Sequence, residues 1–338
     1  MGYKKKIVII NKEKISKRNN SFFCDNIDLK TIPEGLEKNF DVSVIAVKSK
    51  VERSHKISLD NIQVTSNIFN FLFTIYKTFK NKDTDYLVIS ITPYSFFAYL
   101  LLFIFRKRIF VYLRSNGYEE YKAILGYFGH FIYHIMYLTV TFKSKIITCQ
   151  EKLVGRKKYS LVFPSELDDT WMQNIKEPLM DKPRLLYVGR IKVEKGIFSL
   201  IKILEEINSD LSLSIAGKDE DYKINSKKIN LLGFENSPES LIKIYDEHNI
   251  TILPSYTEAH PKVVDESLAR SRPVIIFEEI NHIVKDKQGL FVSKRNSKSL
   301  LTTIKFIMDN YSDIQKNIKK NKLPTKKEFI SKIENILN

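Results

Sequence analysis

Two cysteines in 338 residues, Cys24 and Cys149, are too few for a disulfide framework or a cysteine-rich metal cluster. The expectation is a chain of a reducing compartment, read as the cytoplasm. Acidic residues are also in short supply: 39 Asp and Glu face 55 Lys and Arg, for a formal net charge of +16. The excess is uneven, with 27 cations against 16 anions in residues 1–170 and 28 against 23 in the remainder. Such a basic first half calls for an acidic partner, either nucleic acid or an anionic membrane surface. No nucleic-acid motif of recognisable spacing occurs, so no nucleic-acid partner is expected. No signal peptide is expected either, because Lys4-Lys5-Lys6 leads only into a short strand-like run. Internal repeats and low-complexity linkers are absent. No Ser-His-Asp arrangement, metal-ligand cluster or acid/base carboxylate pair stands out, so no metal or other cofactor is expected.

Long apolar runs are few, and the longest one is interrupted. Tyr86 to Phe105 is about long enough to span a bilayer, but Pro93 divides it. The segment reads as a strand at Leu87–Ile91, a helix at Tyr94–Phe105 and a second strand at Ile109–Leu113, a βαβ unit of a doubly wound sheet. Tyr121 to Phe142 is rich in aromatic and aliphatic residues, and Arg106-Lys107-Arg108, Lys143 and Lys145 flank this region. Two readings fit it: a buried helix of the first domain, or a helix lying in a bilayer interface.

Strand and helix patterns alternate through the chain, which argues an α/β architecture with parallel sheets. The length suits two domains. The expected division is residues 1–172 and 173–325, with the boundary between Trp171 and Lys182. A last helix, Lys327 to Leu337, is expected to pack back on the first domain.

Chemistry concentrates in the second half. Arg184-Leu-Leu-Tyr-Val-Gly189 is an apolar run suited to a buried parallel strand, and helical spacing resumes at Ile197. The turn between them carries Gly189, Arg190, Lys195 and Gly196. A helix start at the carboxyl edge of a parallel sheet favours phosphate. Arg190 can grip phosphate oxygens bidentately, and Lys195 adds a point charge. Some sixty residues later, Glu258 and Glu266 stand eight positions apart across a second strand-to-helix junction, with Pro261 suited to the first helical position. A carboxylate there can accept hydrogen bonds from vicinal sugar hydroxyls. Taken singly, each segment also reads as an ordinary solvated turn. In the first half, Arg114, Asn116 and Glu119 lie in the loop after Ile109–Leu113 and are the candidates for acceptor contacts.

Several weak motifs in one order carry more than any of them alone. The V-G-R-x4-K-G turn is followed by Leu213-Ser-Ile-Ala-Gly217, Leu231-Leu-Gly233-Phe234 and the strand ending Leu253-Pro-Ser255. The Glu-x7-Glu pair, Arg272-Pro-Val-Ile-Ile and Gly289-Leu-Phe-Val complete the series. From about Arg184 to Asn310 the chain resembles the carboxyl-terminal domain of retaining glycosyltransferases of family 4, in the glycosyl transferases group 1. The resemblance implies the GT-B fold, two Rossmann-like doubly wound domains facing across a cleft. It implies a nucleotide diphosphate sugar as donor, a hydroxyl of a glycan or lipid-linked molecule as acceptor, and no metal. Arg190 and Lys195 would then bind the donor diphosphate and stabilise it as it leaves, with Glu258 near the donor sugar and Glu266 on the ribose. His260, Pro261 and Lys262 would line sugar and phosphate. Gly217, Lys218, Gly233 and Phe234 would border the base.

The chain also departs from the family pattern. Ala259 and Ser271 stand where glycines are usual, and Glu278 to His282 replaces a Gly-Gly. No glycine-rich turn follows Lys6–Ile10, where Asn11 to Lys17 stands instead. These losses keep open a noncatalytic subunit of the same fold, and an epimerase acting on a nucleotide sugar remains a further alternative. For a transferase, the basic and aromatic first half suggests an acceptor of surface polysaccharide or lipopolysaccharide synthesis, met at the inner face of the membrane.

Overall fold

The computed structural model describes residues 4–81, 83–217, 224 and 226–338. It divides into two compact units, one formed by residues 4–164 and 327–338 and the other by residues 165–326.

The first unit is built on strands β1 (Lys6–Arg18), β2 (Ser21–Cys24), β3 (Asp41–Lys48), β4 (His55–Ile57), β5 (Ile62–Thr65), β6 (Thr84–Ile89), β7 (Arg108–Leu113), β8 (Lys145–Thr148) and β9 (Tyr159–Leu161). A parallel sheet runs β5-β3-β1-β6-β7-β8-β9. Every residue of β6 is buried, as expected of a strand covered on both faces. Helices α1 (Ile27–Leu36), α2 (Ile68–Lys77), α3 (Pro93–Ile104) and α4 (Gly117–Val140) provide that cover. The βαβ reading of residues 86–113 is what forms, and Thr92 and Ser95 close a capping box at the start of α3. Among the described residues no helix is long and apolar enough to cross a membrane.

Three features of this unit were not read from the sequence. β1 continues through Asn11 to Lys17 after a register shift between Ile10 and Lys14. It then turns at Asn19 and Asn20, both with positive φ (47° and 58°), into the antiparallel β2. Two left-handed Asn residues between strands are a hairpin signal, and it explains the absence of a glycine-rich turn. Secondly, residues 121–142 are neither wholly buried nor wholly exposed. Tyr133, Met136, Tyr137 and Val140 pack inward, whereas Phe128, Phe131, Ile135 and Leu138 face out. Thirdly, α4 is interrupted at Gly126 (φ 63°, ψ −150°).

The second unit contains β10 (Arg184–Val188), β11 (Ser212–Ala216), β12 (Ile229–Gly233), β13 (Ile250–Leu253), β14 (Val274–Phe277) and β15 (Leu290–Ser293). The order β12-β11-β10-β13-β14-β15 is parallel throughout. Numbered within the unit, this is 3-2-1-4-5-6, the doubly wound dinucleotide-fold order, with its reversal between β10 and β13. Helices α5 (Asp169–Met172), α6 (Ile197–Glu206), α7 (Pro238–Asp246), α8 (Lys262–Ala269), α9 (Ser297–Asp309) and α10 (Tyr311–Ile318) complete it.

The chain passes between units at Pro164/Ser165, ahead of the expected Trp171–Lys182 segment. The reason is packing: Trp171 is buried with Leu167, Leu186, Tyr245 and Ala269 and stacks edge-on to Tyr245 at 5.9 Å. The last helix, α11 (Lys326–Leu337), buries Phe329, Ile330, Ile333 and Leu337 in the core that holds Leu29, Ile32 and Tyr112 of the first unit.

Candidate active site

A reversal in strand order opens a crevice at the carboxyl ends of the two diverging strands, because their connections leave to opposite faces. In the second unit those strands are β10 and β13. The turn after β10 carries Gly189, Arg190, Lys195 and Gly196, and the turn after β13 carries Pro254, Ser255, Glu258, His260 and Pro261. Topology therefore brings the two segments together although sixty residues separate them.

Their contact is tight. Gly196 takes a left-handed backbone (φ 68°) and starts α6 without a side-chain cap. A Cβ on it would lie 1.9 Å from the Pro254 carbonyl oxygen. Immediately beside this point Lys195 Nζ donates to Glu258 Oε1 at 2.6 Å, and Ser255 Oγ donates to the same oxygen at 2.7 Å. His282 Nε2 lies 2.9 Å from the Glu258 carbonyl oxygen. Arg190 is exposed, and its carbonyl accepts from Tyr187 at 2.7 Å. Burial pushes the Tyr187 phenol up, Glu258 adds to the shift and Arg190 opposes it, so both charges act on the same ring. One carboxylate held by an ammonium, an exposed guanidinium and an uncapped helix start together suit an anionic ligand.

Three glycines form the adjoining rim. Gly189 N–H donates to Ala216 at 3.0 Å, and Gly217 N–H donates to Gly233 at 2.8 Å. A Cβ on Gly217 would lie 1.9 Å from the Gly189 carbonyl oxygen, so the backbones of the β10 and β11 ends meet only because position 217 has no side chain. Gly233 ends β12 with φ 80°, and Phe234 beside it is 44% exposed. Lys218 lies outside the described residues.

Glu266 sits on α8 and accepts from Tyr245 at 2.9 Å. Burial pushes its carboxyl up to about 7; the Tyr245 hydroxyl and Lys262 oppose that shift, and Glu166 and Asp265 add to it. Lys262 donates to Glu166 at 2.9 Å. His260 Nε2 lies 3.0 Å from Asp265, which Lys287 also contacts. Pro261 caps α8 rather than opening its first turn, one position ahead of expectation.

The departures from the family pattern have local consequences. Ser271 takes φ 55°, the backbone that a glycine adopts without cost. Residues 278–283 form a 3₁₀ turn in which His282 reaches Glu258 and Glu279 accepts from Arg295 at 2.7 Å. Arg295 had no signal in the sequence. It lies over Tyr256 and Phe277, with its guanidinium carbon 4.1 and 4.4 Å from the two ring centroids, and donates to the Pro254 carbonyl at 3.0 Å. It thus braces the turn that carries Glu258.

The acceptor-side candidates belong to the first unit. Arg114 is tied to buried Asp28 at 2.8 Å. Asn116 precedes α4 without capping it, and Glu119 is exposed. A cavity of about 410 Å³ lies where that sheet reverses between β1 and β6. Its walls include Glu13, Thr92, Arg114, Glu120 and Tyr121; Asn116 and Glu119 are not among them.

Residues 169–323 match the family described as glycosyl transferases group 1. An uncharacterised glycosyltransferase of Methanocaldococcus jannaschii, MJ1607, is 29% identical over 148 residues, 39% of this chain and 37% of that one. The chain spans about a third to a half of the length of the curated relatives it matches. Among solved structures, HepE of Anabaena in complex with UDP and glucose superposes with a TM-score of 0.71 at 12% identity, covering 99% of each chain. WaaG, a glycosyltransferase involved in lipopolysaccharide biosynthesis, superposes with a TM-score of 0.64 at 12% identity, covering 98% of each. The fold is that of the GT-B glycosyltransferases, with two Rossmann-like α/β domains.

Proposed function

We propose that this chain, whose residues 169–323 match the glycosyl transferases group 1, moves a sugar from a nucleotide diphosphate sugar to an acceptor hydroxyl with retention of configuration, in the manner of family 4. The observation that carries the reading is the meeting of Lys195, Glu258 and the uncapped start of α6 at the β10/β13 reversal. Arg190 and Lys195 hold the donor diphosphate. As the glycosidic bond to the diphosphate breaks, negative charge grows on the leaving oxygen, and these two cations and the helix start stabilise it. The acceptor hydroxyl attacks from the face the leaving group vacates, and its proton passes to the departing phosphate oxygen. Glu258, fixed by Lys195 and Ser255, faces the donor sugar and orients its hydroxyls. Glu266 accepts from the ribose, and the glycine rim at 189, 217 and 233 admits the base. The two cations take the electrostatic part that a divalent metal would otherwise play, so chelator leaves the rate unchanged.

The acceptor is a glycan or lipid-linked glycan of surface polysaccharide or lipopolysaccharide synthesis, met at the inner face of the membrane. WaaG, of the same fold, is named for lipopolysaccharide biosynthesis, and HepE binds UDP and glucose. The test is turnover of UDP- and GDP-sugars with lipid-linked acceptors, with the anomeric configuration of the product read by NMR. Product of inverted configuration would refute the retaining step. Donor consumed to an epimer without acceptor would refute transfer.

A further inference from the structure

Helix α4 cannot be straight. Tyr118 and Tyr133 lie fifteen positions apart, about 22 Å along a regular helix, yet their ring centroids are 4.7 Å apart. Tyr118 also lies 5.7 Å from Tyr137, and its hydroxyl is 2.9 Å from His134 Nδ1. The chain therefore doubles back at Gly126, whose φ of 63° makes the reversal. The inside of this hairpin is a packed tyrosine–histidine cluster. Its tip is the reverse: Ile124, Tyr127 and Phe128 are 73, 86 and 68% exposed.

From the tip, Phe128, Phe131, Ile135, Leu138 and Phe142 follow at spacings of three and four, one apolar stripe along the returning helix, all exposed. The stripe does not end there. Phe142 meets Phe103 at 5.9 Å, and at the end of α3 Phe105 meets Tyr76 of α2 at 5.5 Å. Cations edge it: Lys122 lies over Tyr127, Lys143 over Phe142 and Lys77 over Phe73. Residues 93–145 hold seven Lys and Arg against two Glu. A second copy of the chain would bring like charge against like. Large aromatics interleaved with lysines match the headgroup boundary of an anionic bilayer, where stems and rings are buried and ammonium groups stay with phosphate.

The hairpin also lines the 410 Å³ cavity, through Tyr121, Ile124 and Tyr133, together with Lys12, Glu13 and Arg53. We infer that the hairpin of residues 117–140 is a wedge that enters the surface of an anionic bilayer and sets this cavity at the headgroup level, so that the acceptor is an amphiphile whose polar head enters the cavity while its lipid stays in the membrane. The inference rests on the transferase reading for the word acceptor; the bilayer docking does not.

Cosedimentation of the full chain with vesicles of phosphatidylcholine and phosphatidylglycerol at 3:1 tests it, beside Y127S/F128S, which alters only exposed tip residues. The chain is expected to bind, to retain part of that binding in 0.5 M salt, and to lose about tenfold or more of its affinity in the variant, with the melting temperature unchanged. No binding at low salt would overturn the inference. So would equal binding by both proteins that salt abolishes, since only charge would then be at work, or a dimer in solution that the variant dissociates, since a second copy would then cover the face. Binding of UDP to both proteins, measured in parallel, separates failure of the wedge from failure of the transferase reading.

Discussion

The contact between Gly196 and Pro254 holds the two halves of the proposed donor site together, and its strength can be measured with three glycines. Gly196→Ala meets two penalties. Its φ of 68° costs an L-residue about 1–2 kcal/mol. Its Cβ, 1.9 Å from the Pro254 oxygen, must push back the end of β13, an overpacking cost of about 1–3 kcal/mol. Gly233→Ala meets the first penalty alone, since φ is 80° and nothing lies within 4 Å of its Cβ. Gly217→Ala meets the second alone, through the Gly189 oxygen at 1.9 Å. In a unit of about 160 residues each kcal/mol lowers the melting temperature by about 2–4 °C. Gly196→Ala should therefore lose about 4–20 °C by circular dichroism, and Gly233→Ala about 2–8 °C. A Gly196→Ala protein no less stable than Gly233→Ala would refute the close approach of the two turns.

Other outcomes follow from the same geometry. Arg190→Ala and Lys195→Ala should each lower turnover by about 100-fold or more in a donor-consumption assay, with the folded state kept; near-normal rates in both would remove the site assignment. Glu266 holds its proton up to about pH 7, above the ordinary 4.5, so the stability this group contributes is complete below pH 4.5 and is lost as pH rises toward 7. Glu266→Gln should flatten that slope in denaturant titrations between pH 4.5 and 7.5. UDP affinity should fall by at most about tenfold per pH unit below pH 7 in the native chain, and not in the variant. Ser271→Gly should stabilise the protein by about 1 kcal/mol in urea unfolding, by relieving the left-handed backbone at φ 55°.

The second sheet was legible because its strands are buried on both faces and read as apolar runs ending in glycine, and because the order of those runs matched a known family. Lys195 and Glu258 were named from motifs, and the structure shows why they meet, at a reversal no local pattern reveals. Arg295, Ser255 and His282 were not found. Their value lies in contacts across sixteen, three and twenty-four positions, and an isolated Arg, Ser or His carries no periodicity. The β1–β2 hairpin was not read from the sequence, although two asparagines tolerate the left-handed backbone better than most pairs. The composition of residues 121–142 fitted burial and lipid equally. The structure gives the segment one buried face and one exposed face, on a chain that reverses at Gly126.

The central claim is that the turns after β10 and β13 form a nucleotide diphosphate site held by Arg190 and Lys195. Its most direct test is the melting temperature of the full chain with UDP, GDP, ADP and CDP, beside Arg190→Ala. A ligand bound only to the folded state at 100 times its Kd adds about 2.7 kcal/mol. The expected result is a shift with one nucleotide family that Arg190→Ala abolishes. No shift with any nucleotide, or an equal shift in the variant, would contradict it.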